Sequence, residues 1–181
     1  MRLIFTLIIF SIIACSPSIQ RNNELRKKRG EAKTVTDLLD IGSHLDTIST
    51  SYSKLKFDSV EIVDFRYSGV LINSMPQDFI FKRHVCNKEE SKSILQIITS
   101  EKAYKNKLSV GFFRPSMIFV FYFKDKVKAF YFVGFGHNGD VYSSTKLPNG
   151  YFISNTSEYG NDLFWKISCK LQFSNCEGSV D

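Results

Sequence analysis

The chain has 181 residues, 43% of them apolar and 23% charged, with only 10 Gly and 4 Pro, which excludes a disordered or collagen-like polymer. With 17 Phe and 8 Tyr it can build a core for one domain, and its length excludes a multidomain machine. The formal charge of +6 raises a nucleic-acid reading whose weight depends on where that charge lies.

Met1-Arg2 is a minimal basic start, and residues 3–13 follow with nine apolar side chains among eleven. A membrane-spanning helix needs about 20 such residues, whereas the apolar region of a secretory signal needs only about 7 to 15. Residues 1–14 therefore read as a signal peptide. Its end, Ile12-Ile13-Ala14-Cys15, resembles the bacterial lipobox, in which branched apolar residues and a small residue precede a lipidated cysteine. The resemblance implies cleavage before Cys15, acylation of its sulfur with palmitate-type chains, and anchorage in a lipid bilayer. Two or three chains, at about 0.8 kcal/mol per buried methylene, hold a protein at a membrane almost irreversibly. Ser16 stands where lipoproteins retained in the inner membrane carry Asp, so the resemblance further implies the outer membrane of a two-membrane cell.

Removing the signal takes away Arg2 and leaves 23 basic against 18 acidic residues, a net +5. Arg21, Arg26, Lys27, Lys28 and Arg29 against Glu24 supply +4 of it between residues 21 and 29. The rest of the chain is nearly neutral, so no nucleic-acid partner is expected. Residues 15–34 read as the lipidated cysteine and a basic flexible tether lying against anionic lipid or cell-wall polymer. Residues 35–181 read as a single domain.

Within that domain, Leu38, Ile41, Leu45 and Ile48 recur at helical spacing and predict a short helix over 36–48, with Asp37 near its positive end and His44 at its surface. Val60 to Tyr67 and Asp78 to Val85 read as strands. Asn87 to Glu90 resembles a capping box that opens a helix reaching about Tyr104, with Ile94, Leu95, Ile97 and Ile98 inward. Ser116 to Phe135 predicts an aromatic hairpin turning at Lys124 to Lys126. Its nearly continuous apolar runs suit central strands covered on both faces. Gly136 to Gly139 predicts a turn into a strand at Asp140 to Ser144, with one more strand at Tyr151 to Ser154. Leu163, Phe164, Ile167 and Leu171 mark a closing helix over 162–171. The whole predicts an α+β domain: an antiparallel sheet of four to five strands with two packed helices.

This order of elements, with Ile94-Leu95, Tyr104, the Phe113-Arg114-Pro115 turn, the hairpin and the closing helix, resembles a set of small uncharacterised lipoproteins of Bacteroidota type over residues 88–171. In that group cysteines flank the proline turn and end the second hairpin strand. Phe112, Gly134 and His137 stand at those places here, so no metal or redox role follows from the resemblance, and it implies no activity.

With Cys15 acylated, Cys86, Cys169 and Cys176 remain in a compartment that permits disulfides. Cys169 with Cys176 is the favoured pair, provided the helix ends near Gln172, because seven residues of continuous helix would hold the α-carbons about 10 Å apart. Cys86 with Cys169 is the rival, and free buried thiols are the third outcome. His84 and Cys86 share one face of a strand and, with His137, could offer two imidazoles and a thiolate to Zn²⁺. Nothing in the spacing brings His137 to them, so no metal or other cofactor is expected.

No G-x-S-x-G, H-E-x-x-H or phosphate-binding glycine loop occurs. No catalytic residue is assigned. The expected function is a non-enzymatic binding module of the bacterial cell envelope, whose partner is an envelope or secreted protein. An envelope hydrolase with His137 or His84 as base is the alternative, and an inhibitor or immunity-type lipoprotein a further one. The surface favoured for binding is the aromatic hairpin, Phe119, Phe121, Phe123, Phe130 and Phe132. The helices at 88–104 and 162–171 can cover only one sheet face, leaving the other to helix 36–48, a second copy or a partner.

Overall fold

The computed structural model describes residues 17–40, 51–72, 75–105, 115–135, 139–174 and 176. The signal segment, Cys15, residues 41–48 of the expected first helix, His44, the Phe113-Arg114 pair and His137 lie outside the described residues.

Six antiparallel strands form one sheet in the order β2-β1-β3-β4-β5-β6. They are β1 (Ser59–Ile72), β2 (Met75–Val85), β3 (Met117–Phe123), β4 (Lys126–Val133), β5 (Asp140–Ser143) and β6 (Ile153–Asn155). The helices are α1 (Pro17–Glu31), α2 (Val35–Asp40), α3 (Lys88–Ile98) and α4 (Glu158–Lys170). The protein is thus α+β, with more strands and helices than expected, the three-residue β6 included. Among the described residues no helix is long and apolar enough to cross a membrane.

β3 is the centre of the sheet, and Met117 to Tyr122 are all buried because both faces are covered. Burial of each such side chain contributes roughly 1.5–3 kcal/mol. The β3–β4 hairpin closes through Lys124 and Asp125 with φ of 52° and 59°, the two consecutive positive values of a type I′ turn. On one face Val60, Ile62, Met117, Phe119, Phe121, Ala129, Tyr131 and Val133 pack with Ile94 and Ile98 of α3 and Phe164 of α4. On the other, Val63, Phe65, Ile118, Val120, Tyr122 and Val127 pack with Val35 and Leu38 of α2. Of the three covers weighed for that face, the chain's own N-terminal helix occupies this part of it.

The basic segment departs from the expected flexible tether: Pro17–Glu31 is helical. It has no apolar stripe, yet Arg, Lys, Glu, Gln and Leu are good helix formers, and Pro suits a first helical position. Lys28 and Arg29 in the last turn complement the helix dipole. Among its described side chains α1 docks through charge, since the Arg29 guanidinium lies 4.4 Å from the Tyr122 ring centre and 3.4 Å from Asp125. Arg83 donates 2.6 Å to the Arg29 carbonyl and grips buried Glu61 with two bonds of 2.7 and 3.1 Å. The Tyr122 hydroxyl donates to the same carboxylate at 2.9 Å.

α3 begins with a full capping box, Asn87 accepting from Glu90 N while the Glu90 carboxylate accepts from Asn87 N. It stops at Ile98, short of the expected end near Tyr104: Thr99 keeps helical backbone as the cap, Ser100 turns extended with ψ of 121°, and a separate 3₁₀ turn over Glu101–Ala103 follows. α4 starts four residues earlier than expected. Gly160 sits inside its first turn, where an added Cβ would stand 2.3 Å from the Ala103 carbonyl oxygen, so this glycine permits close packing.

Candidate functional site

β2 ends where α3 begins, and this junction gathers three chemically distinct donors. His84 pairs with Ile62 of β1, so its side chain is on the α3 side of the sheet. Cys86, two residues on, points the same way and is buried, its amide bonded to the Val60 carbonyl at 2.9 Å. The capping box then folds Glu90 back over the strand end. Its Oε2 accepts from Asn87 N at 3.0 Å and lies 2.9 Å from His84 Nε2. One ligand atom each from His84, Cys86 and Glu90 falls within 4.8 Å of the others.

Two effects fix the charge states. The bond from His84, then the Asn87 amide, hold the Glu90 carboxyl below the usual carboxylate range, helped by Lys170 at 3.8 Å. Burial, with the Glu90 and Glu61 carboxylates adding, pushes the Cys86 thiol up to about 12. The thiol is therefore protonated at neutral pH and a poor nucleophile.

A cleft of about 360 Å³ opens beside the cluster, its walls including His84, Glu90, Ile62, Ile94, Ile167 and Leu171. It runs between α3 and α4, with an apolar floor and the His84–Glu90 pair at its rim. Glu90 is the member that sequence reasoning missed. The capping-box signature was visible, but it read as a helix start, and that the same carboxylate would reach His84 depends on the strand ending within one residue of the helix cap.

Of the five aromatics favoured as a binding surface, Phe119 and Phe121 are fully buried on the α3 and α4 side of the sheet, Phe119 against Phe164 of α4 and Phe121 against Tyr52 and Phe57, which corrects their assignment. Phe123 is half-buried on the same parity. Phe130 and Phe132 belong to the opposite face and are half-buried. There their ring centres are 5.4 Å apart and stand 6.1 and 6.3 Å from that of Tyr142 of β5. Phe132, Tyr142 and Ile153 are register partners across β4, β5 and β6, so they form one ladder. Tyr142 is 38% and Ile153 49% exposed.

Cys169 and Cys176 are joined with α-carbons 5.0 Å apart. The helix end makes this possible. Gln172 takes φ of 53°, and Gln172 N and Phe173 N bond to the carbonyls of Cys169 and Ser168, a Schellman reversal that turns the chain back. Phe173 then seals the core, and Ser174 donates through its amide and hydroxyl to Asp64 at 2.7 and 2.8 Å. Cys86 remains a free thiol.

No protein-family model, no curated protein and no solved structure matches the chain, so the site is read from its own chemistry.

Proposed function

We propose that this chain is an exported lipoprotein, acylated at Cys15 and held in the outer membrane, whose α+β domain binds another envelope component or a secreted protein. The observation that carries the binding reading is the ladder of Phe132, Tyr142 and Ile153, with Phe130 beside it. The described helices α1 and α2 pack on the β1–β3 part of that face, while the ladder occupies the β4–β6 part with Tyr142 and Ile153 substantially exposed. Contiguous apolar surface of this kind marks interaction sites. The lipobox-like Ile12 to Cys15 supports the anchor, and the Cys169–Cys176 pair agrees with an oxidising compartment. The hydrolase alternative has less support. His84 is oriented by Glu90, but among the described residues no hydroxyl or thiol is hydrogen-bonded to it, and the adjacent Cys86 thiol is protonated.

Metabolic labelling with a palmitate analogue tests the anchor: the wild-type chain labels and Cys15→Ser does not. Affinity purification of the acylated chain from its own envelope tests the module. A partner retained by the wild type and lost with Tyr142→Asp supports the ladder, and equal recovery with both chains refutes it. A single secreted toxin held tightly would identify the inhibitor-type variant of the same reading.

A further inference from the structure

We propose that His84, Cys86 and Glu90 form a binding site for one borderline transition-metal ion, Zn²⁺ fitting best, with the remaining coordination position open to the cleft between α3 and α4. The inference depends neither on the anchor nor on the aromatic ladder.

The donor set comes first. Imidazole nitrogen, thiolate sulfur and carboxylate oxygen together suit Zn²⁺, whereas Mg²⁺ and Ca²⁺ want oxygen donors alone. Ligand atoms at 2.0–2.3 Å from a tetrahedral ion lie roughly 3.3–3.8 Å from one another. Their present spacing of up to 4.8 Å therefore asks for a closure of about 1 Å. His84 and Glu90 have the freedom for it, with side chains 31% and 25% exposed, while buried Cys86 supplies the fixed point.

The framework is the second argument. His84 and Cys86 sit at the end of a strand hydrogen-bonded to β1, and the capping box turns Glu90 toward them, so the backbone brings the three residues together before an ion arrives and only the His84 and Glu90 side chains need adjust. Three protein ligands and an accessible fourth position are the pattern of reactive and ligand-binding zinc sites, whereas purely structural sites are closed by four. The cleft supplies that access, because His84 and Glu90 stand in its wall. Its apolar lining by Ile94, Ile97 and Ile167 would favour an organic donor group over bulk water.

Binding balances simply. The Cys86 sulfur forms a bond to the ion and releases its proton to solvent, while the proton on His84 Nε2 is given up to solvent and Nδ1 takes one up, so that Nε2 and Glu90 Oε2 exchange their mutual hydrogen bond for one metal bond each. No electron changes hands. Lys170, 3.8 Å from the other Glu90 oxygen and largely exposed, swings into solvent.

Titration of the full-length, metal-free chain with Co²⁺, its disulfide intact, tests the site. One equivalent should bind with a thiolate-to-cobalt charge-transfer band, and excess Zn²⁺ should bleach it. His84→Gln and Glu90→Gln should each weaken Co²⁺ binding by at least about tenfold, and Cys86→Ser should remove the band. Absence of the band in the wild type overturns the proposal, as does a band that survives in folded Cys86→Ser, which would locate the thiolate at Cys15. Should Cys86→Ser fail to fold, unchanged Co²⁺ affinity in both His84→Gln and Glu90→Gln overturns it equally.

Discussion

The guanidinium of Arg29 lies 4.4 Å from the centre of the Tyr122 ring, so the basic N-terminal helix is clamped to the middle of the sheet by a cation over an aromatic face. Arg29 is nearly buried and also faces Asp125 of the hairpin turn at 3.4 Å. Arg29→Ala should therefore lower stability by about 1–2 kcal/mol in urea unfolding. Arg29→Lys should recover part of the loss, because a lysine keeps the charge but not the planar stacking. An unchanged midpoint for Arg29→Ala would mean that α1 does not dock this way.

Behind that clamp, Glu61 is buried with Arg83 and Tyr122 as its partners. Removing one member of a buried pair strands the other, so Arg83→Met should cost about 3–5 kcal/mol. The double change Arg83→Met with Glu61→Gln should cost less than that single change, since no uncompensated charge remains. Equal losses in a double-mutant cycle would show that packing, and not charge, decides.

Much of this fold was legible in the sequence, for physical reasons. The hairpin announces itself because both its strands are apolar on both faces and its polar turn is short, and α3 does so because Asn87 and Glu90 satisfy each other's backbone. One feature was not legible. α1 looked like a tether because its docking uses Arg26 and Arg29 in place of an apolar stripe, and hydrophobic periodicity is blind to that. The site was half legible: His84 and Cys86 share strand parity, but Glu90 enters through the helix cap, which strand parity does not report.

The buried tyrosines give the pH dependence. Tyr52, Tyr104, Tyr122 and Tyr131 all have hydroxyls raised well above 10, mainly by burial. A raised folded value means stability that is complete below the unfolded value of about 10 and is lost as pH rises beyond it, since only the unfolded chain ionises there. Spectrophotometric titration should thus show these four ionising only in the unfolding transition. Smooth titration of these four near pH 10 in the folded chain would contradict the core.

Gly160 tests the seating of α4 on the 3₁₀ turn before it. A Cβ there meets the Ala103 carbonyl at 2.3 Å, and backbone cannot rotate away as a side chain would. That same carbonyl accepts from Ser157 N at 2.9 Å, so pushing it aside also disturbs the α4 cap. Gly160→Ala should destabilise by about 1–3 kcal/mol despite alanine's better helix propensity. A stabilised variant would show that α4 stands off the turn.

The disulfide closes a short loop whose geometry is prepared by the helix end. Seven positions separate Cys169 from Cys176, and Gln172 with its left-handed backbone reverses the chain between them. For so small a loop the entropy of the open chain predicts about 2–3 kcal/mol from the cross-link. Phe173 and Ser174 lie inside the loop and bind the core and Asp64 independently, so reduction should loosen the C-terminal segment before the sheet. Cys176→Ser should accordingly lower the unfolding midpoint and speed amide exchange at Phe173 and Ser174. Exchange in β3 and β4 should accelerate only as far as the global loss requires. Gln172→Gly, which relieves the positive φ, should raise stability by about 0.5–1 kcal/mol in both the oxidised and reduced chains. If it stabilises neither, the reversal is imposed by the cross-link and not by the Schellman turn.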